Sequence, residues 1–367
     1  MVKFDRDIIL NVINTASKFT SNKLNISDAL QGIYILFNEK KVDIYATNLT
    51  TFYHSHLNTT TSLKNKGVII EPRKIIEFLQ LLQPGAVIIE LKEKQFAVTQ
   101  DKTKGVFPII LSDEFPFPPH LEEKSLEMSK SFLTDNLPFI LFTSSTDDAR
   151  PILTGVNFVA TDDELAIVST DGFRLSLVKE KRKGLISSMI IPAEFLQEVL
   201  KAIKNAKKVS FTHSSKEKII VFNIDDEEFY SRLIDGEFPP YERVIPAEFK
   251  TKAVLNHEEF LRNTKLISIF ARDYSNVILY EFGKDGLTLK PKEEGGKENK
   301  TVQDIVFEGE PQKVAFNYKY VIDFLNHINT KEIIVEILRP DAPVVFKAKG
   351  NEAFIHIIMP VRIQASE

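Results

Sequence analysis

The sequence repeats itself three times, and no other feature restricts its possible folds as much. Glu114-Phe115-Pro116 returns as Glu237-Phe238-Pro239, 123 residues later, and Gly32 at the head of GIYILF matches Gly155 at the head of GVNFVA with the same offset. A longer landmark occurs three times, as IIEPRKIIEFLQLL from Ile69, IIPAEFLQEVLKAI from Ile190 and VAFNYKYVIDFLNHI from Val314. The central pairs Phe78-Leu79, Val199-Leu200 and Phe324-Leu325 lie 121 and 125 residues apart, and Met359-Pro360 follows Pro239 by 121. Landmarks in one order with agreeing offsets make three units of a chain that is in any case too long for one core. The Pro-rich, strand-poor stretches 115–124 and 246–252 divide it into 1–124, 125–248 and 249–367.

Each unit reads as helix, paired strands, second helix, further strands. Across 7–19, Ile9, Val12, Ile13 and Ala16 share one helical face, with Arg6, Asn11, Asn14 and Lys18 on the other. NHEEFLRNTKLISIFAR from Asn256 repeats the device, with an Asn cap and Glu259 three residues on. Residues 33–37, 42–46, 157–160 and 165–169 are β-rich, with a turn at Asp162-Asp163 in the second unit. The second helix is expected to begin at Pro72 or Pro192, where a missing N–H costs nothing. Its exposed face carries Arg73 and Lys74 in one copy and Lys201, Lys204, Lys207 and Lys208 in the next. Two helices on a mostly antiparallel sheet make an α+β unit, present three times.

Composition narrows the function. A net charge of -4, with no third of the chain strongly basic, argues against grip on nucleic acid by bulk positive charge. The absence of cysteine removes disulfides, thiolate metal sites and cysteine nucleophiles, and fits a reducing compartment. MVKFDRDIILNVIN lacks the apolar core of a signal peptide, and no apolar run approaches a bilayer span, so a cytoplasmic protein away from membranes is expected. No phosphate loop, HExxH helix or GxSxG elbow is present. His54 and His56 share a strand face and read as surface polar residues. Asp225-Asp226-Glu227-Glu228 reads as a hairpin turn rather than a metal site, the run 292–298 as a solvated loop, and Thr170-Asp171-Gly172 has no partner acid or base fixed by spacing. A non-enzyme without cofactor or metal is expected.

STDGFRLSL from Ser169, RLIDGEFPPYERVIP from Arg232, FNYKYVIDFLNHI from Phe316 and IIMPVRI from Ile357, in this order, resemble the bacterial replicative sliding clamps, the beta subunits of the replicative DNA polymerase. The resemblance spans all three units, with DRDIILNVI near the start supporting the first. It implies a homodimeric ring of six similar domains, helices inside and sheets outside, that encircles double-stranded DNA without reading its sequence. It further implies partners that bind through short peptides: the replicative polymerase, an ATP-driven loader, and repair polymerases and ligase-type proteins. Packing arithmetic agrees with a dimer. At 8–10 Å per helix, six helices close on a circumference of only roughly 55 Å, whereas twelve give roughly 110 Å and an open radius of about 12 Å.

In such a ring, lumen cations contact phosphates loosely. The candidates by position are Lys18, Lys23, Arg73, Lys74, Arg150, Lys201, Lys204, Arg262, Lys265 and Arg272. The middle unit departs from the family's basic tendency, with Ala193-Glu194 opening its second helix and its first helix, expected around NLPFILFTSSTDDA, carrying no Lys or Arg until Arg150. The resemblance also implies a peptide cleft between the middle and last units, formed by Leu153, Thr170, Gly172, Phe173, Arg174, Leu175, Pro239, Arg243, Val244, Ile358, Met359, Pro360, Val361 and Arg362. Apolar side chains would make the groove, and the three arginines would donate to the peptide. Phe173 stands where the family often has histidine, and Gln364 to Glu367 extend past the last strand. Two other classes compete: a metal-assisted hydrolase using the acidic turns, and a monomeric peptide-binding scaffold, which solution mass separates from a ring.

Overall fold

The computed structural model describes residues 1–21, 27–61, 63–111, 114–127, 129–181, 188–273, 275–292 and 299–362. Local chemistry accounts for most helix boundaries. Helix α1 (Arg6–Ser17) is capped by Asp5, whose carboxylate accepts from the amides of Asp7 and Ile8, and it buries Ile9, Val12, Ile13 and Ala16. After the single turn α2 (Asp28–Gln31), α3 (Pro72–Leu81) opens on proline behind the cap Glu71 and buries Ile75 and Leu79. Helix α4 (Lys130–Leu141) begins earlier than NLPFILF suggests and accommodates Pro138 internally. Its first residue is thus a lysine, which corrects the reading of a helix without basic residues. Lys130 Nζ donates to the carbonyls of Lys204 and Ala206, 2.7 and 3.3 Å away.

Helix α5 (Ala193–Ile203) starts one residue after Pro192, which instead ends the strand Met189–Pro192 opposite Gly155. It also stops before Lys207 and Lys208, whose backbone amides are held by the Asp225 carboxylate. Helices α6 (His257–Ala271) and α7 (Tyr318–His327) are capped by Asn256 and Asn317, each accepting from the backbone two or three residues on.

The strands are antiparallel throughout, and the ladders cross the repeat boundaries. In a twelve-stranded sheet, Thr51–Asn58 of the first repeat pairs with Glu227–Arg232 of the second, Phe52 opposite Tyr230. In a nine-stranded sheet, Arg174–Lys181 of the second repeat pairs with Phe354–Ile358 of the third, Arg174 opposite Ile358. A four-stranded sheet belongs to the third repeat alone. The chain divides into two compact units, Met1–Thr134 with Glu194–Leu233, and Asp135–Ala193 with Ile234–Glu367.

The repeated glycines have one shared cause. A Cβ on Gly32 would lie 2.3 Å from Ile69 Cγ2, and one on Gly155 would lie 2.4 Å from Ile190 Cγ2. The first residue of the long landmark therefore leans on the glycine of its own repeat, which is why both recur together. Aromatic rings fill the cores: Phe19, Tyr53 and Phe229 meet at 5.3 to 5.7 Å in the first unit, and Phe316 and Phe324 flank Phe346 at 5.6 and 5.5 Å in the second. No helix among the described residues is long and apolar enough to cross a membrane.

Candidate functional site

Four segments of the second unit converge around the turn 170–175. The turn is built by its own side chains. Thr170 Oγ1 donates to the Arg174 carbonyl at 2.6 Å, and Asp171 Oδ1 accepts from the amides of Phe173 and Arg174 at 2.9 and 3.0 Å. Gly172 sits at φ 92°, a left-handed conformation that suits glycine. The result projects Phe173 outward, 55% exposed, while Leu175 enters the core opposite Ile357.

The terminal segment docks beside this turn. Ile358 is buried opposite Arg174, the Met359 amide donates to the Phe173 carbonyl at 2.8 Å, and the Val361 amide donates to the Ala315 carbonyl at 2.8 Å. Met359 is 36% exposed, Pro360 and Val361 are half-buried and Arg362 is exposed. The third segment, 236–244, is anchored by Tyr241, which packs in one cluster with Leu175, Val345 and Ile357. That anchoring leaves Pro239, Arg243 and Val244 at the surface. The fourth is the short 3-10 turn Pro151–Thr154 with Leu153 buried. Its Ile152 approaches Gly236, where a Cβ would come within 2.7 Å of Ile152 Cδ1.

The expected cleft residues are thus neighbours, but they divide by depth. Leu153, Thr170, Leu175 and Ile358 are buried, so the apolar surface open to a ligand is carried by Phe173, Val244 and Met359, with Pro360 and Val361 beside them. Arg174 does not stand ready as a free donor. Its Nε lies 2.9 Å from Asp171 Oδ2 and its Nη1 2.7 Å from Asp323 Oδ2, and its guanidinium sits 4.8 Å above the Tyr320 ring and 5.6 Å from that of Phe142. Arg243 and Arg362 carry no ion pair among the described residues. Tyr320, stacked against Phe173 at 6.3 Å, and Asp323 were not expected at the site. The spacing in YKYVIDFLNH places both off the stripe of Val321, Phe324 and Leu325 buried by α7, which is the one sequence signal for them.

Burial, followed by the Asp171 charge, raises the Tyr320 hydroxyl pKa, keeping it a neutral donor. Below the turn, His356 is fully buried, with Nδ1 2.9 Å from Ser176 Oγ. Burial first, then the Arg174 and His327 charges, push it well below the ordinary imidazole range, so it stays neutral. Residues 364–367 lie outside the described residues.

The candidate DNA-facing residues are exposed wherever they are described, and Lys23 lies outside the described residues. In the first unit, Lys18 at the end of α1 lines one crevice with Arg73 and another with Lys201, and Lys74 and Lys204 lie on α3 and just past α5. In the second unit, Arg262 and Lys265 project from α6, Arg272 caps its end, and Arg150 precedes the turn at Pro151. Helix α6 also exposes Leu266, Ile269 and Phe270. No group of three or more His, Cys, Asp or Glu able to hold a metal ion occurs among the described residues. His54 departs from the surface reading: its two ring nitrogens lie 3.1 Å from Asp43 Oδ1 and 2.8 Å from Glu228 Oε2. Asp225 and Asp226 form the expected hairpin turn, but Glu227 and Glu228 already belong to the strand.

Three models of one family match the chain in order: the N-terminal domain of the DNA polymerase III beta subunit over 2–119, its central domain over 127–240 and its C-terminal domain over 242–362. The chain is 27% identical over 379 aligned residues to a beta sliding clamp of Halalkalibacterium halodurans, covering 98% of each, and 27% identical to that of Bacillus subtilis, covering 81% of this chain and 80% of the relative. Among solved structures, the DNA polymerase III beta subunit of Thermotoga maritima superposes with a TM-score of 0.91 at 24% identity, and the Bacillus subtilis sliding clamp with 0.88 at 25%. Each comparison covers 99% of both chains.

Proposed function

Because the chain belongs to the DNA polymerase III beta subunit family, the bacterial sliding clamps, we propose that two copies close head to tail around duplex DNA and that short partner peptides dock on the groove beside Phe173. Its function is that of a non-catalytic processivity subunit. The observation that carries this is the succession of three domain models of one family across nearly the whole chain. The three repeats, 1–124, 125–248 and 249–367, are the three domains of each half-ring in this reading.

Exposed edges and apolar faces support the closure. Among the described residues, strand Ile305–Gly309 pairs on one side only, with Thr251–Asn256, and exposes Val306 at 69%. Among the described residues, strand Thr103–Ile110 meets its second neighbour only through Ile109 and Ile110, leaving the side at Val106 open. An open edge in the first repeat and another in the third invite heterologous pairing, and Leu266, Ile269 and Phe270 on α6 offer exposed apolar area.

The groove suits partners that exchange. Burying one leucine or phenylalanine anchor against Phe173, Val244 or Met359 is worth roughly 1.5–3 kcal/mol, and two or three anchors less the ordering cost leave roughly micromolar affinity. The polymerase, an ATP-driven loader and repair proteins could then alternate on one ring. The test is retention: a loaded ring stays on closed circular DNA and leaves when the circle is cut. Equal retention on linear and circular DNA contradicts encirclement.

A further inference from the structure

The candidate DNA-facing cations divide by chemistry. All four arginines carry a carboxylate of their own: Arg73 Nε is 3.4 Å from Glu77, Arg150 Nε 3.0 Å from Asp147, Arg262 Nη2 3.5 Å from Glu259 and Arg272 Nε 3.7 Å from Asp273. The lysines differ. Lys201 is paired, 2.7 Å from Glu198, whereas Lys18, Lys74, Lys204 and Lys265 have no carboxylate within ion-pair distance among the described residues. The arginine pairs follow from sequence spacing of one, three or four residues, so the chain builds each carboxylate next to its arginine.

The two cations hold phosphate differently. A guanidinium can grip phosphate with two parallel N–H donors in fixed geometry, whereas an ammonium is a point charge that trades one oxygen for the next. For a protein that must stay on DNA yet travel along it, the bidentate grip is the contact that would cause drag. We propose that Glu77, Asp147, Glu259 and Asp273 act as phosphate decoys, each drawing one nitrogen of its guanidinium so that the arginines hold phosphate less often in bidentate fashion, the unpaired lysines bear on the backbone and the ring slides with low friction. They are positioning residues acting through their arginines. The proposal rests on the DNA-facing assignment made above. The pairs are exposed and therefore weak, so a decoy competes with phosphate rather than excluding it, and each arginine contact is shortened rather than abolished.

The test uses the intact homodimer and a linear duplex, reading binding against salt together with single-molecule diffusion along the DNA. Log affinity falls with log salt by about 0.9 per phosphate neutralised. Freeing two arginines per protomer with Glu77→Gln and Glu259→Gln should steepen that slope by up to about 3.6 for the dimer and slow diffusion several-fold. Glu164→Gln, which frees Lys179 from an exposed pair outside the candidate set, changes the charge without touching an arginine and should leave both unchanged. Replacing Lys18, Lys74, Lys204 and Lys265 by alanine should make the slope shallower. If the lysine variant binds more weakly but the double glutamine variant keeps the wild-type slope and diffusion, the decoy role is wrong while the DNA-facing assignment stands. If Glu164→Gln steepens the slope as much as the double variant, bulk charge explains the effect and the decoy role is again wrong. If neither set changes binding, the assignment itself fails and the decoys with it.

Discussion

Raising the pH should loosen the ladder that joins the first repeat to the second, because one imidazole bridges it in a form that only a proton permits. His54 on Thr51–Asn58 lies flat on Tyr45, ring centroids 4.3 Å apart, with one nitrogen facing Glu228 on the neighbouring repeat and the other facing Asp43. Lys41 and Asn38 also bond Asp43, the Tyr230 hydroxyl donates to Glu228, and His56 lies 3.6 Å from Asp226 on the same edge. A neutral imidazole has a single N–H, so two carboxylate contacts at these distances require the cation. Burial pulls the His54 pKa down, but the bonds to Asp43 and Glu228 and their charges outweigh it, leaving the pKa above the ordinary imidazole value. A group raised in the folded state contributes in full below its unfolded value near 6.5 and loses the contribution as pH climbs through the folded one. The carboxylates run oppositely. Asp43 and Glu228 are both lowered, so their share vanishes only as pH falls through their depressed values.

Two charge-assisted bonds, the outer one discounted because Glu228 is 38% exposed, amount to about 2–4 kcal/mol of local stability. His54→Ala should therefore cut amide protection in Thr51–Asn58 and Glu227–Arg232 by about 30- to 1000-fold at pH 6, after correction for intrinsic exchange. The gap between variant and wild type should shrink as the pH rises and the imidazole loses its second donor. Hydrogen exchange followed by mass spectrometry reads the protection, and the ring nitrogen shifts read the proton. A gap that stays constant from pH 6 to 9, or a His54 that titrates below the ordinary value, would refute the bridge.

Three further outcomes can be checked directly. Gly155→Ala drives a methyl to 2.4 Å from Ile190 Cγ2 and should cost about 1–3 kcal/mol in denaturant unfolding, with Gly32→Ala matching it against Ile69. Ile269→Asp, on the exposed apolar face of α6, should yield monomers in analytical ultracentrifugation with unchanged circular dichroism. Met359→Asp should weaken the binding of a leucine- and phenylalanine-bearing peptide at least tenfold by calorimetry while leaving the dimer intact, and unchanged affinity would remove Met359 from the groove.

The sequence disclosed what is decided locally. The apolar face of α1, the asparagine cap of α6, the strand positions and the glycine landmarks follow from spacing and from side chains that bond their own backbone. Helix α4 begins earlier than the apolar run NLPFILF because its first turns, KSFLTD, bury Phe132 and Leu133 among polar residues that mask the periodicity. Distant pairings were not legible. Arg174 meets Asp323 and His54 meets Glu228 across more than a hundred residues of sequence, so one arginine read as a free donor is clamped and one histidine read as surface is bridged. For the groove residues, alternation along a strand gives two faces but not which face is covered, and that depended on where Tyr241 packs.

The ladder between Thr51–Asn58 and Glu227–Arg232 also bears on how such a chain can be cut or rearranged. A first repeat severed after residue 124 would keep Thr51–Asn58 but lose its hydrogen-bonding neighbour, uncovering Phe52, which packs with Ile219, Val221 and Tyr230. An edge of that length with an aromatic laid bare is a template for sticking to other chains. The repeat is thus a unit of ancestry but not of solubility. A fragment that includes residues 194–233 would keep the ladder closed, and gene fusions or split reporters that respect it should stay dispersed where repeat-by-repeat dissections precipitate.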